Sequence, residues 1–254
     1  MRYFRLKQFA VKEHNNGNTL ILCTGDVKYS SILIDSFPFF NFGTRFPDYK
    51  QQYDWGIFIN GITSEQRYQV GQFLEFLSKV ILLNNELLQS FAIDLHYQNN
   101  RVRTIIGQLA FEAKYERNAI SLDKLSLEFE NFVSVHPAYR RTDYFIPVPC
   151  SDPSQQGIQH HITRYLCDRF SVSDGTDLIH KNRKTSPMKD LDIEDKFNNI
   201  KGAFSVNIQS LLGKRVTLID DIYRSGTTIN EIALVLKQYG AIVQSLVATK
   251  TLRD

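Results

Sequence analysis

The chain has 254 residues, with 30 Lys and Arg against 27 Asp and Glu, which leaves a net charge of +3. This length predicts one large domain or one domain with a sizeable extension, and the charge is too small to indicate nucleic-acid binding by itself. The charged first residues argue against a signal peptide, and no apolar run is long enough to span a membrane. Three cysteines without C-x-x-C spacing argue against a zinc ribbon and suit a reducing compartment, so we expect a cytoplasmic protein.

Residues 1–97 are predicted to form an N-terminal α+β region that binds an acceptor or a partner. Its predicted elements are three strands and one helix, at residues 19–23, 31–34, 55–59 and 64–83. Thr63 and Gln66 have the spacing of a capping box, in which each side chain bonds the backbone of the other residue at the start of a helix.

The same region is rich in aromatic residues that alternate with turn residues. They are Phe37, Phe39, Phe40, Phe42, Phe46, Tyr49, Tyr53 and Trp55. The usual place of aromatic rings favours the core of a small β-rich subdomain. A platform on which bases stack is the second interpretation, and the sequence leaves both open.

Residues 98–254 predict alternating helices and strands. Helices are expected within residues 101–130, at residues 158–170 and at residues 229–236, and strands at residues 144–149, 202–206, 216–219 and 242–249. A strand–helix–strand unit of this kind implies parallel strands joined by a right-handed crossover. The predicted fold class is therefore α/β, with a mainly parallel sheet flanked by helices, and its ligands should bind at the carboxyl ends of the strands.

The strand at residues 216–219 leads into the most informative stretch of the chain. Asp220 and Asp221 follow it directly, and Arg224-Ser-Gly-Thr-Thr228 precedes the next helix. Two carboxylates can accept hydrogen bonds from a pair of ribose hydroxyls, and backbone amides at a helix N-terminus can surround a phosphate. A helix cap or a solvated turn is the alternative, but the combined pattern favours a sugar-phosphate site.

This stretch resembles the phosphate loop of type I phosphoribosyltransferases, whose pattern is an apolar strand, an acidic pair, two variable residues and then small-small-Gly-x-Thr. The resemblance implies the type I phosphoribosyltransferase fold. It also implies that Asp220 and Asp221 are the catalytic pair, which binds the ribose hydroxyls of 5-phosphoribosyl 1-pyrophosphate (PRPP). The residues implied to bind the 5′-phosphate are Arg224, Ser225, Gly226, Thr227 and Thr228. Arg224 departs from the family pattern, in which a small residue is commoner.

Residues 97–254 also resemble the ComF (competence protein F) branch of this superfamily. Four stretches carry the resemblance in the family's order: Ala113-Lys114-Tyr115, Pro147-Val-Pro149, the basic stretch from Arg183-Lys-Thr185 to Gly202-Ala-Phe204, and residues 246–253. The resemblance implies a site role for Lys114, a pyrophosphate loop and a basic lid. The pyrophosphate loop is assigned to Cys150, Ser151 and Asp152, and the lid to Arg183, Lys184 and Lys196. A solvated basic surface is the alternative for the three lid residues.

The chain also departs from the ComF pattern. Lys196 stands where the family usually has Arg, Met188 stands where it has Gln, and Gln156 replaces an Arg of the pyrophosphate loop. The family's zinc ribbon is missing, and the aromatic N-terminal region stands in its place. We therefore expect any acceptor pocket to come from residues 1–97.

The resemblance implies Mg²⁺-dependent transfer of phosphoribosyl from PRPP to an unidentified acceptor, with the ion held mainly by the ligand and not directly by the protein. The alternative is a non-catalytic protein that senses PRPP or a nucleotide, or that handles DNA as ComF does. Single-stranded DNA or a partner protein would then bind the N-terminal region. No membrane partner is expected, and a homodimer is an arrangement that the resemblance leaves open.

Overall fold

The computed structural model describes residues 3–14, 17–47, 52–98, 102–152, 155–183 and 193–252. The strands, in chain order, are β1 (Tyr3–Phe4), β2 (Gln8–Glu13), β3 (Thr19–Thr24), β4 (Asn41–Phe42), β5 (Phe46–Pro47), β6 (Trp55–Asn60), β7 (Ile81–Leu83), β8 (Ser90–Leu95), β9 (Tyr144–Pro147), β10 (Ser173–Asp174), β11 (Ile179–Lys181), β12 (Phe204–Val206), β13 (Arg215–Tyr223) and β14 (Ile242–Lys250). The helices are α1 (Lys28–Ser36), α2 (Ser64–Lys79), α3 (Ile105–Tyr115), α4 (Ala119–Val135), α5 (Pro137–Arg140), α6 (Ile158–Phe170), α7 (Ile193–Ile200) and α8 (Thr227–Gln238).

A seven-stranded mixed sheet has the order β1-β7-β8-β14-β13-β9-β10. Five consecutive strands of this order, β8-β14-β13-β9-β10, run parallel to one another. At the β8 side, β7 and β1 add an antiparallel edge. The prediction of an α/β chain with a mainly parallel sheet flanked by helices is confirmed at this level. The predicted division at residue 97 stays a prediction, and the structure places β7 and β8, which precede it, within this sheet.

A second sheet lies in the N-terminal part of the chain. It is antiparallel, with the order β2-β3-β6-β4 and with β5 also paired to β6. The capping box of α2 is confirmed, because Gln66 N donates to Thr63 Oγ1 over 3.2 Å and Thr63 N donates to Gln66 Oε1 over 2.9 Å.

Residues 31–34 were expected as a strand, and this prediction is wrong because they lie in α1. The buried face of that helix carries Tyr29, Ile32 and Leu33, and three- and four-residue spacing is typical of a helix. A window of four apolar residues is too short to show this period.

Most of the described aromatic side chains of the N-terminal region pack inward. The rings of Phe37 and Phe40 stack at a centroid distance of 5.1 Å, and Phe37 meets Phe73 of α2 edge-on at 5.4 Å. Trp55 is 2% exposed. Phe39, at 96% exposure, is the exception. Aromatic burial therefore places these packed rings in the core.

The order of the parallel strands creates a crevice between β9 and β13. After β9 the chain passes through α6 to β10 on one side, whereas after β13 it passes through α8 to β14 on the other side. Ligands of open α/β sheets bind where the strand order reverses in this way, because the loops separate there. The backbone hydrogen bond from Val148 N to Ile219 O, of 2.8 Å, joins the two strands at the base of the crevice.

A buried histidine lies among the aromatic side chains of the core. Its ring, that of His136, lies 4.7–5.5 Å in centroid distance from the rings of Phe73, Phe91, Phe132 and Tyr139. His136 has no exposed surface, and within the described part of the chain neither ring nitrogen has a hydrogen-bond partner. Burial, assisted by nearby arginines, lowers the pKa of His136 well below its ordinary value.

We expect His136→Leu to raise the free energy of unfolding by about 1–3 kcal/mol, because it removes two unsatisfied buried nitrogens. The unfolded chain binds a proton at this position more readily than the folded chain, so wild-type stability should fall as the pH drops below ~6.5. The contribution of His136 to this fall is at most about 1.4 kcal/mol per pH unit. Urea unfolding on both sides of that pH checks the prediction. The exposed control His180→Gln should leave the pH dependence of the unfolding free energy as it is in the wild type. An unchanged pH dependence in His136→Leu would contradict the role assigned to His136.

Within the residues that the structure describes, no helix has both the length and the apolar character that crossing a membrane requires.

Candidate functional site

A cleft of about 410 Å³ lies at the reversal of strand order, between the loop after β9 and the turn after β13. We call it the switch-point cleft. It brings together most of the site residues predicted from sequence: Lys114, Cys150, Ser151, Asp152, Asp220, Asp221, Arg224, Ser225, Gly226, Thr227 and Thr228. These residues come from three separate parts of the chain, so the tertiary structure assembles the cleft.

The acidic pair lies within β13, which continues to Tyr223 instead of ending at Ile219. Asp220 is partly buried and Asp221 is 7% exposed, and Asp221 N donates to Asp220 Oδ1 over 2.9 Å. Burial raises the pKa of Asp220 well above its ordinary value, and the neighbouring carboxylate of Asp221 adds to the rise. A protein keeps two crowded carboxylates at some cost in stability, and such perturbed pairs are concentrated at functional sites.

Lys114 reaches the acidic pair from α3. Its Nζ donates a hydrogen bond to Asp221 Oδ2 and forms an ion pair with that carboxylate. Burial alone would lower the pKa of Lys114, but the charge and hydrogen bond of Asp221 outweigh it, so that the pKa is raised. The ammonium group is therefore positively charged at neutral pH and offsets part of the negative charge of the pair.

The position of α3 depends on Gly107. A Cβ at this residue would lie 2.2 Å from the carbonyl oxygen of His96, just beyond β8, so the helix approaches the sheet more closely than any other residue type would allow. Thr104 begins the helix, since its Oγ1 accepts from Gly107 N over 3.0 Å and donates to Leu95 O. These contacts direct the far end of α3, with Lys114, toward β13.

The turn between β13 and α8 has the features of an anion site. Gly226 has a φ of +79° and starts the helix without a side-chain cap, and the first turn carries no acidic residue. Ser225 Oγ and Thr227 Oγ1 are 2.8 Å apart. The first amides of a helix lack intrahelical acceptors, so this turn presents amide donors and hydroxyls to the cleft at the positive end of the helix dipole.

Gly226→Ala is expected to destabilise the protein more than Gly213→Ala. Both glycines have positive φ, which costs an L-residue about 1–2 kcal/mol. Only at position 226 would the new Cβ also overlap a buried ring, at 2.1 Å from Tyr223 Oη and 2.4 Å from Tyr223 Cζ. At position 213 nothing lies within 4 Å.

The overlap should add about 1–3 kcal/mol to the loss of unfolding free energy in Gly226→Ala. Urea unfolding of the two variants, measured side by side, gives this difference directly. Equal losses would show that the Tyr223 ring yields to the methyl group and that the turn is less rigid than its packing indicates.

The loop after β9 forms the facing wall of the cleft. Gln159 Nε2 donates to Val148 O over 2.8 Å and to Cys150 Sγ over 3.4 Å, so α6 holds the start of this loop. Lys181 Nζ donates to the carbonyl oxygens of Cys150 and Ser151, at 3.0 and 3.2 Å.

The sequence interpretation missed Lys181. Its only local signal is the β-strand alternation that puts it on the same face as the buried Ile179. That alternation does not indicate which loop the side chain meets, because the two are about thirty positions apart in the chain.

The predicted basic lid is only partly within the described residues. Arg183 is exposed, its Nη2 donates to Lys201 O over 3.2 Å, and it is not among the residues that line the cleft. Lys184 and the side chain of Lys196 lie outside the described residues. The role of these three residues as a lid therefore stays a prediction.

Metal-binding groups and similarity to known proteins also bear on the identity of the site. Among the described residues, no three His, Cys, Asp or Glu side chains are grouped as a protein-held metal ion would need. A scan of the chain against protein-family models gives no match, and no curated protein sequence matches it significantly. The family resemblance drawn from the motifs therefore stays a prediction.

Proposed function

We propose that the chain is a phosphoribosyltransferase-like protein of the type I fold, similar to ComF, that binds PRPP and transfers its phosphoribosyl group to an acceptor. One observation carries the proposal: the acidic pair Asp220 and Asp221 and the uncapped start of α8 share one cleft at the reversal of strand order. Carboxylates suit a vicinal diol and a helix N-terminus suits a phosphate, so the cleft matches a phosphorylated ribose at both ends.

The charges of the cleft support a polyanionic ligand that also carries a sugar. The turn provides Arg224 and the hydroxyls of Ser225 and Thr227, and Lys114 offsets the charge of Asp221. A phosphate would occupy the turn, whereas the ribose hydroxyls would donate hydrogen bonds to the two carboxylates. This division keeps the negative charge of the phosphate away from the acidic pair.

The residues also fit a ligand-held Mg²⁺. The donors of the cleft are carboxylates, hydroxyls and backbone groups, which are the oxygen ligands that this ion prefers, and the acidic pair lies beside the expected ribose. When bound, Mg²⁺ would neutralise the pyrophosphate of PRPP and so make it a better leaving group.

The proposed reaction breaks the bond from the ribose C1 to the pyrophosphate oxygen and forms a bond from C1 to an acceptor nitrogen. The protein contributes position and electrostatics. Asp220 and Asp221 would hold the ribose and stabilise the positive charge that develops on it. The loop of Cys150, Ser151 and Asp152, supported by Lys181, would adjoin the departing pyrophosphate.

Calorimetric titration of PRPP with Mg²⁺ into the wild-type chain tests the proposal, with ribose 5-phosphate and pyrophosphate titrated as separate comparison ligands. We expect PRPP to bind more tightly than either part, because only PRPP occupies both the turn and the facing loop. Absence of PRPP binding would overturn the proposal.

Turnover separates the enzyme from a non-catalytic PRPP sensor. Gln156, an uncharged residue where the ComF pattern has Arg, is the observation that favours the sensor. PRPP that binds but stays intact in the presence of nitrogen nucleophiles would support the sensor, and release of pyrophosphate would support the transferase.

A further inference from the structure

A second and larger cavity, of about 860 Å³, adjoins the switch-point cleft. We call it the α3 cavity, because it lies between α3, the residues that follow β8, and the carboxyl ends of β13 and β14. Lys114, Asp221, Ile222 and Arg224 line both cavities. A molecule in the α3 cavity would therefore lie beside the acidic pair, where the proposed ribose binds.

Aromatic rings form much of the wall of the α3 cavity. Tyr97, Phe111 and Tyr115 line it, and the rings of Phe111 and Tyr115 are 5.2 Å apart in centroid distance, tilted by 41°. Aromatic side chains in a cavity wall provide apolar surface that a planar ligand can contact. The volume is in the range that small-molecule sites usually have.

The same cavity also contains the guanidinium of Arg103. The guanidinium of Arg103 lies 3.7 Å above the centroid of the Phe111 ring and 5.7 Å from that of Tyr97. Its Nε is buried and has no hydrogen-bond partner among the residues that the structure describes. Among the described residues, none of the ion pairs includes Arg103.

Several other arginines of the described residues have a carboxylate partner, among them Arg67, Arg169 and Arg215. Arg215, for example, is in contact with both oxygens of Asp35, at 2.8 and 3.1 Å. A partly buried guanidinium that is held by rings and lacks its anion is costly unless a ligand supplies the anion, and a guanidinium fork fits a carboxylate through two parallel hydrogen bonds.

We propose that the α3 cavity holds the acceptor and that the acceptor is a planar heteroaromatic molecule with an anionic substituent. Its ring would contact the aromatic wall, and its anion would bind Arg103. This inference rests on the proposed function, which it extends by naming the substrate class. The acceptor pocket was expected from residues 1–97. Apart from His96 and Tyr97, the groups that carry this inference come from Arg103, which precedes α3, from α3 itself and from the ends of β13 and β14.

The lone pair of the acceptor nitrogen forms the bond to C1 of the ribose, and the electron pair of the broken C1–O bond leaves with pyrophosphate. The proton that the acceptor nitrogen loses is taken up by solvent or by His96, which lines the cavity with its Nδ1 3.0 Å from Thr249 Oγ1. Burial and the charge of Arg103 lower the pKa of His96, so its ring is neutral and can accept that proton at neutral pH.

Two matched pairs of heteroaromatic ligands, with and without the carboxylate, test the inference by calorimetry: orotate with uracil, and nicotinate with nicotinamide. Each is titrated into the wild type, alone and with Mg²⁺ and ribose 5-phosphate present. We expect the carboxylate member of at least one pair to bind about 10- to 100-fold more tightly, as a bidentate charge-assisted contact would give.

Arg103→Met should abolish this difference, because it keeps an unbranched apolar stem and removes the charged guanidinium. Arg140→Met, at an exposed arginine of α5, is the matched control and should keep the difference. Urea unfolding of both variants shows whether Arg103→Met is folded. The inference is overturned if no pair shows a preference for the carboxylate, or if a folded Arg103→Met retains the preference.

The wild-type titration with PRPP separates the two proposals. PRPP binding without a carboxylate preference would overturn the acceptor inference and leave the proposed function standing. A carboxylate preference that depends on Arg103, without any PRPP binding, would overturn the proposed function and leave the α3 cavity as an anion-binding aromatic site.

Discussion

The double variant Asp220→Asn/Asp221→Asn is expected to lower PRPP turnover by at least about 10²- to 10³-fold, the range seen when a preorganised electrostatic group is removed from an active site. The amides keep the size of the carboxylates but lose the charge that would hold the ribose hydroxyls and oppose the positive charge on the sugar. Pyrophosphate release, measured with saturating Mg²⁺, checks this result. Wild-type turnover in the variant would exclude the acidic pair from the reaction.

The single variant Asp220→Asn should at the same time be more stable than the wild type. Burial and the adjacent charge raise the pKa of Asp220, so the folded chain binds its proton more tightly than the unfolded chain. Ionisation at neutral pH therefore lowers folding stability, and the loss grows as the pH rises from the ordinary carboxyl pKa toward the raised one.

Removing this ionisable group should add about 0.5–2 kcal/mol to the free energy of unfolding, as often happens at functional sites. The exposed control Asp177→Asn should leave stability near that of the wild type. Loss of turnover together with a gain in stability is the combination that a catalytic pair predicts. Loss of both would indicate a structural role instead.

Lys114→Met is the second variant with a large expected effect. Turnover should fall roughly tenfold to 100-fold, less than for a fully buried group because the Lys114 side chain is 42% exposed. The variant keeps much of the apolar stem that packs along α3 and removes the charge that faces Asp221. Lys114→Arg should recover part of the activity, since it restores the charge with a different geometry.

The pH profile of Lys114→Met distinguishes an electrostatic role from a packing role. The charge of Lys114 lowers the pKa of Asp220, so its removal should raise that pKa further. The ionised pair then forms only at higher pH, and the acidic limb of the turnover profile should move to higher pH. The control Lys124→Met, at an exposed lysine of α4, should leave the limb in place. An unmoved limb in Lys114→Met would contradict the electrostatic role.

Elements with a long, regular pattern were predictable from the sequence. Helix α6 has Ile158, Ile162 and Leu166 on one buried face, as its spacing predicts, and α8 repeats the pattern. Shorter segments were less predictable. Residues 31–34 belong to a helix, and β13 continues past the acidic pair because β14 pairs with it as far as Lys250, a contact that lies outside any local window.

The candidate site likewise has a part that was predictable from the sequence and a part that was not. One contiguous stretch, from β13 through the turn to α8, carries the acidic pair and the uncapped helix start, so residue types alone indicated a candidate site there, although they did not indicate that β13 runs through the pair. The sequence by itself therefore determined the class of ligand that we propose, because a strand end, a glycine with positive φ and a helix N-terminus are near neighbours in the chain.

Only the tertiary structure decided what surrounds that stretch. Lys114 lies 107 positions from Asp221 in the chain, and its ion pair depends on the close approach of α3 at Gly107. Arg103 and the aromatic wall line one cavity together with Asp221 for the same reason. Contacts between residues so far apart in the chain depend on the order of strands in the sheet and on the packing of helices against it. The spacing of residues within one segment predicts neither of these.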